Sequence, residues 1–125
     1  MNYDEIPPGR EMDALVAEKV MGWIRYNDSQ GWPSGAKHTG NRRRSYPRYS
    51  TDIAAAWEVV EKLLRDNGEL VVAIQSDDHD WVCTIRDDPL NIVGYSRSPT
   101  APLAICRAAL MTVLTARGCH TREKT

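Results

Sequence analysis

An α+β fold is predicted by three observations. Three stretches carry apolar residues at steps of three and four, three short alternating segments follow one another between the second and third of these, and the links between the segments are of hairpin length. Strands so closely spaced pair antiparallel, and amphipathic helices need a sheet face to cover. The expected order is helix, strand, long loop, helix, three strands, helix (α-β-α-β-β-β-α), with residues 1–125 forming one domain whose sheet is covered by helices.

Residues 1–9 end in Pro7-Pro8-Gly9, an extended approach to the first helix. From Arg10 to Met21, Met12, Leu15, Val16 and Val20 share one face, and Gly22 ends the helix. Trp23 to Tyr26 is aromatic and β-branched, which suits a strand, and residues 27–30 should turn. Residues 31–49 hold Gly31, Pro33, Gly35, Gly40 and Pro47 together with Lys37, Arg42, Arg43, Arg44 and Arg48, and contain no acidic residue. Loops of that length in a compact domain are commonly functional, and this one has room for a short hairpin.

The second helix is expected to open at Ser50 or Thr51 as cap, with Asp52 favoured by the helix dipole. Ile53, Ala56, Trp57, Val60 and Leu64 form its apolar stripe, while Glu58, Glu61, Lys62 and Arg65 face water. Asn67-Gly68 supplies a left-handed stop. Strands follow over 69–75, 80–86 and 91–96, with turns at 76–80 and 87–90. The last helix opens at Thr100 with Pro102 in its first turn, buries Leu103, Cys106, Leu110, Val113 and Leu114, and closes at Gly118 before a polar tail over 119–125. The expected core is Leu15, Val16, Trp57, Val60, Leu64, Val72, Ile74, Trp81, Ile85, Leu103, Leu110 and Leu114, with Trp57 meeting Trp81.

Composition narrows the function classes. A formal net charge of −1 gives no general pull toward nucleic acid or membrane, and no apolar run approaches the ~20 residues of a membrane span. The first five residues lack the basic and apolar regions of a signal peptide, so a cytoplasmic location is expected. Cys83, Cys106 and Cys119 are odd in number and widely spaced, which reads as reduced, packed thiols. His38, His79 and His120 lack the paired spacing of a metal site, and His79 beside Asp78 and Asp80 is better read as turn residues than as a catalytic base. No catalytic residue, metal or cofactor is expected.

Three blocks, Gly9 to Trp23, Tyr49 to Leu64, and Thr100 to Leu110, closely resemble the phage ABA sandwich family of small phage and prophage proteins. The resemblance spans about residues 9–114 and implies one sheet covered by helices, in agreement with the order derived above. It carries over no catalytic residue. The loop over 31–48 lies outside the matching blocks, and its arginine run departs from the family pattern.

Chain direction then locates a candidate site. Helices packed antiparallel to their neighbouring strands bring the starts of the second and last helices to one end of the sheet, beside the basic loop. Arg42, Arg43, Arg44 and Arg48, the aromatic faces of Trp32, Tyr46 and Tyr49, the hydroxyls of Ser50, Thr51 and Thr100, and Arg107 among its alanines are the expected ligand-binding set. The rival reading pairs the arginines with Asp77, Asp78 and Asp80 in surface ion pairs. The resemblance to phage proteins implies a non-enzymatic accessory protein, and the anion-binding end makes an anionic, nucleotide-like defence signal its expected ligand, with a homo-oligomer as a further expectation. The alternatives are a nucleic-acid-binding module resembling double-stranded RNA-binding domains, or an inhibitor of a host protein.

Overall fold

The computed structural model describes residues 6–26, 34–36 and 44–119, with backbone only for 25–26, 34–36, 44–45 and 115–119. Its element order is α1 (Arg10–Leu15), continued by a π-helical turn over Val16–Val20, then β1 (Ile24–Tyr26), β2 (Ser34–Ala36), β3 (Arg44–Ser45), α2 (Ile53–Asp66), β4 (Val71–Asp77), β5 (Asp80–Asp88), β6 (Asn91–Ser98) and α3 (Ala101–Cys119). The mixed α+β architecture agrees with the sequence reading. Two short strands, β2 and β3, occupy the segment read as loop, and they pair antiparallel with β1 in a small sheet of order β1-β2-β3. The remaining strands form an antiparallel meander of order β4-β5-β6.

Burial of an apolar stripe shapes the first helix. Met12, Val16 and Val20 of the expected stripe are buried, Leu15 is only partly buried against the core, and Ala17 joins the buried face. The widened turn closes with the Met21 amide donating to the Val16 carbonyl at 3.0 Å and the Trp23 amide to the Ala17 carbonyl at 2.8 Å, and Gly22 adopts φ +82° to leave the helix. Trp23 is thereby set down against the core.

Alternation along the meander separates its faces. Ile85 pairs with Gly94, Cys83 with Ser96, and Trp81 with Ser98, and this face meets α3. Gly94 is where the helix comes closest: a Cβ there would stand 2.5 Å from the Ala108 carbonyl oxygen and against Thr112 Oγ1. The opposite face presents Val71, Gln75, Ile92, Tyr95 and Arg97, all exposed. At the β4–β5 turn Asp78 takes φ +57°, a conformation that aspartate tolerates better than most residues.

Several expectations about α2 and the core are corrected. Trp57 is 50% exposed, Leu64 and Trp81 are both 38% exposed, and Trp57 and Trp81 form no ring pair among the described residues. The buried face of α2 is instead Ala55, Ala56, Val59, Val60 and Leu63, because small alanines let α2 approach α3 closely, whereas a stripe centred on Trp57 would hold the helices apart. The cap is Asp52, whose carboxylate accepts from the Ala54 amide at 3.1 Å, and not Ser50 or Thr51. Asn67 ends the helix extended and not left-handed (φ −148°), its side-chain oxygen accepting from the Glu69 amide at 3.0 Å.

Candidate functional site

Five of the predicted site residues, Tyr46, Arg48, Tyr49, Ser50 and Thr51, fall in the segment that leads from β3 into α2. The Arg48 carbonyl accepts from the amides of Thr51 and Asp52 at 3.2 and 2.9 Å, which folds the chain sharply back at Tyr49 and Ser50. That fold turns Tyr49 and Ser50 inward and leaves Arg48 and Thr51 exposed. Tyr46, the residue after β3, packs edge-on against Trp23 with ring centroids 5.3 Å apart, and its hydroxyl donates to Glu18 Oε2 at 2.7 Å. Trp23 and Tyr46 therefore pin both ends of the small sheet to the core.

Tyr49 is 1% exposed and its hydroxyl is hydrogen-bonded to Trp23. Burial, reinforced by the charge of Glu58, pushes its phenol up to about 12, so it is a neutral anchor and its ring presents no face to solvent. Ser50 is wholly buried. Its Oγ donates to Asp13 Oδ1 at 2.6 Å and accepts from the Gly9 amide at 2.9 Å, while its own amide donates to the same Asp13 oxygen at 2.8 Å. Burial holds the Asp13 carboxyl above its ordinary range, opposed by the Ser50 hydrogen bonds and by the nearby charge of Arg48.

Arg107 and Thr100 come from the other direction. Thr100 is exposed, and its carbonyl accepts from the Ala104 amide in the first turn of α3. A helical side chain leans toward the helix N-terminus, so Arg107 reaches back alongside that turn. Its Nη1 donates to Ser98 Oγ at 3.2 Å and its Nη2 to the Ile6 carbonyl at 2.8 Å, while its Nε is buried with no hydrogen-bond partner. Ser96 Oγ lies 2.9 Å from Ser98 Oγ, and both serines are buried.

The two groups are joined through the N-terminal segment. Ile6 is held by Arg107 and Gly9 by Ser50, and three residue steps span at most about 10 Å. The start of α3 and the approach to α2 thus share one end of the molecule, as chain direction predicts. Asp77 and Asp80 both engage Arg97, which donates from Nη1 to Asp77 Oδ2 at 2.6 Å and from Nε to Asp80 Oδ2 at 2.9 Å. Trp32, Arg42 and Arg43 lie outside the described residues, as do Lys37, His38, His120 and the tail beyond Cys119; Arg44 is described only as backbone of β3.

Sequence reasoning missed Asp13, Glu18, Trp23, Ser96, Ser98 and the Ile6–Gly9 segment. The available signals were a carboxylate in the first turn of an otherwise apolar helix face, and the small-residue alternation Gly94, Ser96, Ser98 along one face of β6. Among the described residues no group of three or more His, Cys, Asp or Glu side chains is arranged to hold a metal ion. No described helix is long and apolar enough to cross a membrane.

An antiparallel meander backed by α3, with α2 packed on α3, defines a small α+β protein. Residues 14–110 match the phage ABA sandwich domain, and the chain belongs to that family. Among solved structures it is similar to a phage protein from Bacillus cereus ATCC 14579, with 30% identity, a TM-score of 0.65, and 86% of this chain and 93% of that chain covered. No curated protein matches.

Proposed function

We propose that this phage-family protein is a non-enzymatic accessory factor that binds an anionic, nucleotide-like molecule at the end shared by the start of α3 and the approach to α2, and so sequesters a host defence signal. The observation that carries the reading is the under-satisfied Arg107: a guanidinium alongside a helix start, with one buried donor unpartnered beside two buried hydroxyls. Guanidinium forks, hydroxyls and first-turn amides together favour phosphate. The engagement of Asp77 and Asp80 by Arg97 supports the reading further, since those carboxylates are occupied elsewhere.

The test is native mass spectrometry and calorimetry of the full chain against a panel of linear and cyclic nucleotides, beside the triple substitution of Arg42, Arg43 and Arg44 by Ser. One nucleotide class should bind with defined stoichiometry, and the triple variant should lose it while keeping its thermal midpoint. Absence of binding across the panel sinks the proposal. Affinity only for long nucleic acid, falling steeply with salt, would favour the nucleic-acid reading instead.

A further inference from the structure

We propose that the Nε–Nη2 edge of Arg107 is the seat of a phosphate group, which takes it by displacing the Ile6 carbonyl and lifting the Ile6–Gly9 segment off α3; this rests on the anion-binding reading above. The argument begins with the geometry of the guanidinium. Nε and Nη2 point their hydrogens along the same edge, the edge that grips two oxygens of one oxyanion. Here Nη2 donates to the single carbonyl oxygen of Ile6 at 2.8 Å, and Nε donates to nothing although it is buried. A carbonyl fills half of a fork made for two oxygens.

The neighbouring hydroxyls hold the opposite side of the guanidinium. Ser96 and Ser98 share one hydrogen bond of 2.9 Å. Arg107 Nη1 donates to Ser98, and Nη1 lies directly opposite the Nε–Nη2 edge, so the hydroxyls fix the orientation of the guanidinium and leave that edge to the anion. The edge offers two donors to either anion, but a phosphate dianion carries twice the charge of acetate and so gains more from the guanidinium and from the amides of the first α3 turn.

Between its two anchored ends the cover is lightly held. Residues 7 and 8 are prolines without amide hydrogens, so between Ile6 and Gly9 the segment has few donors with which to anchor itself. Its described attachments are the Ile6 carbonyl on Arg107, the Ile6 side chain in the core, the Gly9 amide on Ser50, and the Gly9 carbonyl, which accepts from the Asp13 amide at 2.9 Å. An anion that satisfies Nε and Nη2 together competes directly with the first of these.

Titration of the isotopically labelled full chain with inorganic phosphate, followed by NMR, tests the proposal. The Arg107 Nε–H signal and the Ile6 and Gly9 amides should shift along one saturation curve, and exchange of the Gly9 amide should accelerate at saturation. Arg107→Lys, which keeps the charge and loses the fork, should weaken phosphate at least tenfold, and acetate should bind at least tenfold more weakly than phosphate. The wild-type shifts alone decide between the outcomes even where that variant folds poorly. An Arg107 Nε–H that does not respond, a Gly9 amide that stays put while Nε–H shifts, or acetate binding equal to phosphate each overturns the proposal. Phosphate shifts confined to residues 42–52 would overturn this seat and leave the anion-binding reading standing.

Discussion

Ser50 donates twice to one oxygen of Asp13, from its amide at 2.8 Å and from its hydroxyl at 2.6 Å. With the Gly9 amide donating to the same hydroxyl, this buried cluster ties the start of α1 to the approach to α2 across residues far apart in the chain. It is the joint on which the candidate site is built.

Removing that hydroxyl should therefore be costly for its size. Ser50→Ala strands the Gly9 amide and takes one of two donors from a buried carboxylate, for an expected loss of about 1–3 kcal/mol. Urea unfolding with an unchanged slope measures it, and a loss within about 0.5 kcal/mol would place the cluster outside the folded core.

Asp13 gives the fold a pH dependence of unusual sign. Its carboxyl is raised above 3.8 chiefly by burial, so the folded state holds the proton more tightly than the unfolded chain does. This contribution to stability is full below pH 3.8 and is lost as pH rises through the folded-state value. Asp13→Asn should flatten that segment of the stability curve, because the amide oxygen still accepts from Ser50 and no longer ionises. Parallel pH titrations of the unfolding midpoint in both proteins are the measurement, and equal slopes in the two would refute the assignment.

The helices show what a sequence can and cannot reveal. The existence of α2 and α3, the meander and the order of elements are legible because each rests on local periodicity and turn residues. The phase of α2 is not. A stripe through Trp57 and one through Ala56 and Val59 both satisfy helical spacing, and only the need for close approach to α3 selects the second. Ser50 reads as a cap because local sequence shows a hydroxyl before a helix, whereas its true partner Asp13 lies 37 residues away. Arg107 stands out among its alanine neighbours, yet its contact with Ile6 spans 101 residues and leaves no trace in spacing.

Stability should follow the observed phase of α2. Trp57→Ala removes a ring that is 50% exposed and leaves no sealed cavity, so about 1–2 kcal/mol is expected in place of the 3–5 kcal/mol typical of a core aromatic. Ala56→Leu, at a position with 0% exposure, should cost about 1–3 kcal/mol or more by forcing the helices apart. Denaturation midpoints that rank Trp57→Ala as the far more damaging change would return Trp57 to the core.

Both described thiols should be inert in the folded protein. Burial pushes Cys83 up to about 12 and Cys106 higher still, with Asp13 adding to the shift at Cys106. Thiolate is the reactive form, so iodoacetamide at neutral pH should leave both unmodified until denaturant is added. Peptide mapping of labelled native protein checks each site separately, and rapid native labelling of either would contradict its burial.

The last prediction concerns the acidic hairpin. Arg97 bridges Asp77 and Asp80 on the exposed sheet face, so these carboxylates have a cation of their own. The pairing sits at the β4–β5 turn, and Ser98, one residue beyond Arg97, touches Arg107. Replacing both aspartates by Asn removes two negative charges at the end of the sheet that carries the proposed anion seat and releases one positive charge on its opposite face. Exposed charges act through water and are screened over about 10 Å at 0.1 M salt, so the gain should be a few-fold in anion affinity at low salt, fading as salt rises. Binding of inorganic phosphate to the double variant across a salt series measures it. If affinity instead rises by orders of magnitude, the hairpin was occupying the anion site, and the competing salt-bridge reading of the sequence is the correct one.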